Sequence, residues 1–130
     1  MTGPSDKYIL ICEAGEVLLA ALEFRLRKNG YLTKMATDGQ VAMAMMAESP
    51  PDLLIADLEA EPINALDLLR YLRHDLKTDV PVIMLADLEM DARILEAFKL
   101  GIADFVAKPF NPNELILRIR RIFRDDQLIK

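Results

Sequence analysis

The chain has 130 residues, 52% of them hydrophobic, which suits one compact domain with a continuous core. A formal net charge of −5 argues against the positive footprint needed to bind nucleic acid directly or to sit on an anionic membrane. The single cysteine, Cys12, excludes an internal disulfide and fits a reducing compartment. The opening MTGPSDK lacks the apolar segment of a signal peptide, and no apolar run reaches the length of a bilayer span. A single soluble domain in the cytoplasm is therefore expected.

In chain order, YILIC (8–12) reads as a buried strand, and EVLLAALEFRLRKNG (16–30) follows as a helix. Leu19, Leu22 and Leu26 recur there at helical spacing, while Arg25, Arg27 and Lys28 face water. Asn29-Gly30 marks its end. YLTKMA (31–36) is the second strand and QVAMAMMAES (40–49) the second helix, whose Met43, Met45 and Met46 read as packing residues. DLLIAD (52–57) is the third strand. ALDLLRYLRHDL (65–76) is a helix carrying the only histidine, His74, which has no recognisable partners for metal or phosphotransfer chemistry. VPVIMLA (80–86) and the helix MDARILEAFKLG (90–101) come next, then the strand DFVAK (104–108). Asn111 caps a last helix, PNELILRIRRIFRDD (112–126), with Pro112 in its first turn.

Five strands alternating with five helices predict an α/β three-layer sandwich whose five-stranded parallel sheet is covered on both faces. The expected division is a flexible tail over 1–7, one domain over 8–125 and a second tail over 126–130. In such a sheet ligands bind at the carboxyl ends of the strands. The first strand delivers Glu13 to that edge, the third Asp57 and then Glu59, the fourth Ala86 and Asp87, the fifth Lys108-Pro109. Those four acids against one lysine leave a formal −3. Two carboxylates at about 4 Å repel by roughly 4 kcal/mol at an effective dielectric of 20, so the cluster must splay, take up a proton or bind a cation. Oxygen ligands at a wet edge favour a hard ion such as Mg²⁺, which keeps several waters.

The residues PPDLLIAD, PVIMLA and GIADFVAKPFNPNELILRIRRIF, in this order, resemble the receiver domain of two-component response regulators, over roughly residues 7–125. The resemblance implies the flavodoxin-like strand order 2-1-3-4-5, with Glu13 beside Asp57. It implies Asp57 as the phosphoacceptor and Lys108 as the cation meeting the phosphoryl oxygens. Mg²⁺ would be held by Glu13, Asp57 and the main-chain carbonyl of Glu59. Ala86 and Phe105 fall at the switch positions, and a cis bond before Pro109 would aim Lys108 into the site. The implied partner is a sensor histidine kinase or phosphotransfer protein in a phosphorelay. The protein is not expected to be an enzyme beyond self-catalysed phosphotransfer and dephosphorylation.

The chain departs from the family pattern at three site positions. Ala14 replaces the second acid, Ala86 replaces the switch Thr or Ser, and Asp87 follows where a small residue is usual. The loop LEAEPINA also displaces the usual proline and puts Ala65 at the usual glycine. The expectation is a receiver with a weakened Mg²⁺ site, and the alternative is a phosphorylation-independent pseudo-receiver used as an interaction module. A small hydrolase is disfavoured because no general acid or base sits at a recognisable spacing. Arg118, Arg120, Arg121 and Arg124 on the last helix suggest a homodimer through the fourth helix, fifth strand and fifth helix, with Asp91, Glu96 and Asp104 as partners across a two-fold axis.

Overall fold

The computed structural model describes residues 7–13, 15–87 and 92–128, with side chains as far as Arg124. Ala14, Asp91 and all of the expected N-terminal tail except Lys7 lie outside the described residues.

The strands are β1 (Tyr8–Cys12), β2 (Leu32–Ala36), β3 (Leu53–Asp57), β4 (Val82–Ala86) and β5 (Asp104–Ala107). They form one sheet in the order β2-β1-β3-β4-β5, and every neighbouring pair is parallel. The helices are α1 (Glu16–Lys28), α2 (Gly39–Glu48), α3 (Ala65–Arg70), α4 (Ala92–Lys99) and α5 (Pro112–Leu128). Helix α5 runs into the stretch expected as a C-terminal tail.

Alternation along each central strand divides the core in two. Leu10, Cys12, Leu54, Ala56, Val82 and Met84 face a layer made by α2, α3 and α4. Ile9, Ile11, Leu53, Ile55, Ile83 and Leu85 face α1 and α5. In β1, β3 and β4 the residues from Ile9 to Cys12, Leu53 to Asp57 and Val82 to Ala86 are all buried, which explains their unbroken apolar runs. The apolar stripe Leu19, Leu22 and Leu26 of α1 meets Leu115, Ile119 and Phe123 of α5 in the same core. Burial, aided by Asp38, Glu13 and Asp57, pushes the Cys12 thiol up to about 11, as suits a packed apolar residue.

The helix expected over 65–76 is not uniform. It opens with a reciprocal capping box between Asn64 and Asp67. From Tyr71 to Asp75 it widens into a π turn and closes at Lys77 with φ 53°. Arg73 on this wide turn donates to the carbonyls of Thr78, Val80, Leu100 and Gly101. One guanidinium thereby ties the end of α3 to the entry of β4 and the end of α4. At the start of α2, Gly39 is needed for close approach: a Cβ there would lie 2.4 Å from Cβ of Ile63. That contact seats the loop following β3 against α2.

Candidate phosphoacceptor site

Parallel pairing brings the carboxyl ends of β1, β3, β4 and β5 to one edge. The register Cys12 to Ala56 places Glu13 and Asp57 one step further along adjacent strands, and Asp57 stands opposite Leu85 of β4. Ala86 pairs with Ala107, and Lys108 N–H donates to the Ala86 carbonyl at 2.8 Å. The backbone thus delivers Lys108 beside the β4 end, where the Lys108–Pro109 bond is cis.

Asp57 is 7% exposed. Its Oδ2 lies 2.7 Å from Lys108 Nζ, and its Oδ1 accepts the Glu59 N–H at 2.8 Å. Burial pushes this carboxyl up, but the bonds from Lys108 and the Glu59 amide outweigh it, and its pKa falls below the ordinary aspartate value. Burial likewise opposes the Lys108 ammonium, yet Asp57 and Glu59 together hold its pKa above the usual lysine value. Asp57 and Lys108 are therefore an ion pair at neutral pH.

Glu13 has a different environment. It is also 7% exposed, and its Oε2 accepts the Gly15 N–H at 3.0 Å. The other oxygen, Oε1, is buried without a hydrogen-bond partner. Burial raises the Glu13 pKa, and Asp57 adds to the rise against the opposing Gly15 amide and Lys108. A buried, unpartnered carboxylate oxygen beside a second carboxylate is a place for a cation. Among the described residues no group of three His, Cys, Asp or Glu side chains could hold a metal ion, so two carboxylates plus a main-chain oxygen and water are the available donors. That hard oxygen set suits Mg²⁺ and would not suit a soft metal.

Glu59 carries a contact the sequence did not suggest. Its Oε1 lies 3.4 Å from Lys108 Nζ, and its Oε2 accepts the Asp87 N–H at 3.4 Å. The exposed Asp87 reaches this cluster through its amide. From α4, Arg93 donates to the carbonyl of Leu58, the residue after Asp57, at 3.2 Å. No local pattern announces either contact, because the partners are 28 and 35 residues apart. Leu18, Asp87, Lys108, Pro109 and Phe110 line an open groove of about 460 Å³ beside the lysine.

Of the two switch positions, Ala86 ends β4 at this edge, and Phe105 sits further back on β5, paired with Met84. Ala86 is 1% exposed and offers no hydroxyl, while Phe105 is half-buried against the α2–α3–α4 core. Within the chain, Arg118 pairs with Asp104 at 2.7 Å and with Glu114 at 2.9 Å. Glu96 pairs with Arg70 at 2.7 Å, Arg120 bonds the Asn29 side chain, and Arg124 is exposed.

The family model described as "Response regulator receiver domain" matches residues 9–120. The chain is 31% identical over 123 residues to the transcriptional regulatory protein CrdR of Helicobacter pylori, covering 95% of this chain and 58% of that protein. It is 34% identical over 116 residues to the sensory transduction protein RegX3 of Mycobacterium tuberculosis, covering 89% of this chain and 50% of that protein. The chain thus spans about half the length of these curated relatives. The receiver domain of the Francisella response regulator 1452 superposes with a TM-score of 0.83 at 25% identity, covering 92% of this chain and 98% of that one. The non-phosphorylated HemR receiver domain of Leptospira biflexa gives 0.81 at 29% identity, with coverages of 89% and 93%. Sequence, strand order and neighbours agree, and the chain belongs to the response regulator receiver domain family of two-component systems.

Proposed function

We propose that Asp57 accepts a phosphoryl group from a phosphohistidine on a sensor kinase or phosphotransfer protein. The observation that carries this reading is the 2.7 Å pair between Asp57 and Lys108 at the carboxyl edge of the sheet. In the transfer, an Asp57 carboxylate oxygen forms a bond to phosphorus as the P–N bond breaks. The electron pair of that bond returns to the imidazole, which leaves with its proton complement restored from water. The loose transition state concentrates negative charge on the three equatorial oxygens, and the Lys108 ammonium is placed to follow that charge from Asp57 onto them. Mg²⁺ bound by Glu13, Asp57 and the Glu59 carbonyl would supply further positive charge there. Ala86 gives no hydrogen bond to the phosphoryl group, a loss of about 1.5–3 kcal/mol for a bond to a charged acceptor, so Phe105 is not driven by the usual hydroxyl.

That missing hydroxyl favours a second reading, a pseudo-receiver that binds a partner without phosphorylation. Leu95 and Phe98 on α4 and Leu117 on α5 are exposed and offer apolar contact area for a partner or a second copy on the expected dimer face. Intact mass after incubation with Mg²⁺ and a small phosphodonor separates the two readings, with Asp57→Asn as control. One added phosphoryl group on the wild type and none on the variant supports the acceptor. No adduct, together with no Mg²⁺ binding at millimolar levels, leaves the interaction module. Ala14→Asp is expected to tighten Mg²⁺ binding if the missing acid is what weakens the site.

A further inference from the structure

An incoming phosphoryl group needs donors for its equatorial oxygens, and among the described residues this edge offers the Lys108 ammonium and the main-chain N–H groups of Glu59 and Asp87. Two of them are already engaged by one side chain of this chain. Glu59 places one carboxylate oxygen 3.4 Å from Lys108 Nζ and the other 3.4 Å from the Asp87 amide. We infer that the Glu59 carboxylate is an internal occupant of the anion position, and that it must leave before a phosphoryl group can settle between Lys108 and the Asp87 N–H.

Three features favour this role. A carboxylate presents two oxygens on a planar anion, and here they reach the ends of β4 and β5 together, as two phosphoryl oxygens would. Both contacts are longer than the 2.7 Å pair between Lys108 and Asp57, and the Glu59 side chain is 36% exposed, so it can swing into water with little loss. Finally, Ala86 carries no hydroxyl, so the side chain that ends β4 gives an external anion no help against the tethered one. Tethering makes the competitor intramolecular, with an effective concentration that a dilute anion does not match. The inference deepens the reading of Asp57 as acceptor, on which its kinetic consequence rests.

The test compares wild type, Glu59→Gln and Glu59→Ala in two measurements. Glutamine keeps the volume and can still accept from the Asp87 N–H, but it loses the charge that holds Lys108. The first measurement is a titration with inorganic phosphate in the presence of Mg²⁺, followed through the Asp87 and Lys108 amide resonances. Removing one partly exposed carboxylate from the lysine predicts about three- to tenfold tighter phosphate binding in both variants. The second is the rate of adduct formation with a small phosphodonor, which is expected to rise by a similar factor. Unchanged or weaker phosphate binding in both variants, or no measurable binding in any of the three proteins, overturns the inference. So does adduct formation at equal rates in all three. Tighter phosphate binding with no adduct in any protein keeps Glu59 as occupant and refutes Asp57 as acceptor.

Discussion

Replacing Glu13 by glutamine should stabilise the metal-free protein and weaken its response to Mg²⁺. Glu13 is 7% exposed, its Oε1 has no partner, and it sits beside the ionised Asp57. A buried acceptor without a partner costs about 1–3 kcal/mol, and ionisation beside a second carboxylate adds to that. Glutamine removes the charge, can donate from its amide toward Asp57, and can still accept the Gly15 N–H. A net gain of about 1 kcal/mol is expected, or about 3–5 °C in Tm for a domain of this size. The folded-state pKa of Glu13 lies above its unfolded value, so the native state binds the extra proton. The cost of the carboxylate is therefore absent below the ordinary glutamate value and full above the folded one, and the advantage of glutamine should grow as pH rises between them. Mg²⁺ should reverse the order. At ten times its Kd a ligand of the native state adds about 1.4 kcal/mol, a gain expected for wild type and largely lost in Glu13→Gln. Urea unfolding at pH 4 and 7, with and without Mg²⁺, reads all four quantities. A variant less stable than wild type at pH 7 without metal, or equally stabilised by Mg²⁺, would refute the reasoning.

Lys108→Met leaves the buried Asp57 without its cation and should cost about 1–3 kcal/mol at pH 7. The folded pKa of Asp57 is depressed, so the stability it contributes is full above the ordinary aspartate value and lost as pH falls through the folded one; the variant's deficit in urea unfolding should shrink along that acid limb. Arg73→Ala removes four bonds to main-chain carbonyls and should cost about 2–4 kcal/mol, with faster amide exchange at the end of α3 and the start of β4. A deficit below about 0.5 kcal/mol would show that water replaces the guanidinium there. Cys12, with its thiol pushed up to about 11, should resist alkylation at pH 8 in native protein and react within the usual time in urea; comparable rates would show that β1 opens readily.

Much of the molecule was legible in the chain itself. Local patterns carry the elements: YILIC, LLIAD and VIMLA are apolar throughout because both faces of a covered parallel sheet are dry. The residues at strand ends follow from that reading, so Glu13, Asp57, Ala86 and Lys108 belong to one edge on sequence pattern alone. The π turn at Tyr71–Asp75 was not legible, since YLRHD continues the helical period and its widening accompanies the bonds Arg73 makes to residues just after α4 and before β4. The direction of the ion pairs was not legible either. Arg118 and Asp104 are 14 residues apart, and only side-chain geometry shows that they meet within one chain.

Composition, periodicity and turn chemistry by themselves determined the fold class and which chemical groups stand at the carboxyl edge, while the strand order followed only from the family resemblance. They did so because burial of apolar surface and the handedness of parallel connections leave few arrangements for alternating strands and helices. Tertiary structure alone decided how those groups divide their partners: Lys108 shared between Asp57 and Glu59, the Asp87 amide engaged by Glu59, and one oxygen of Glu13 left without a partner. Those are contests among groups 28 to 51 residues apart, settled by distances of tenths of an ångström and by exclusion of water, neither of which a linear pattern encodes.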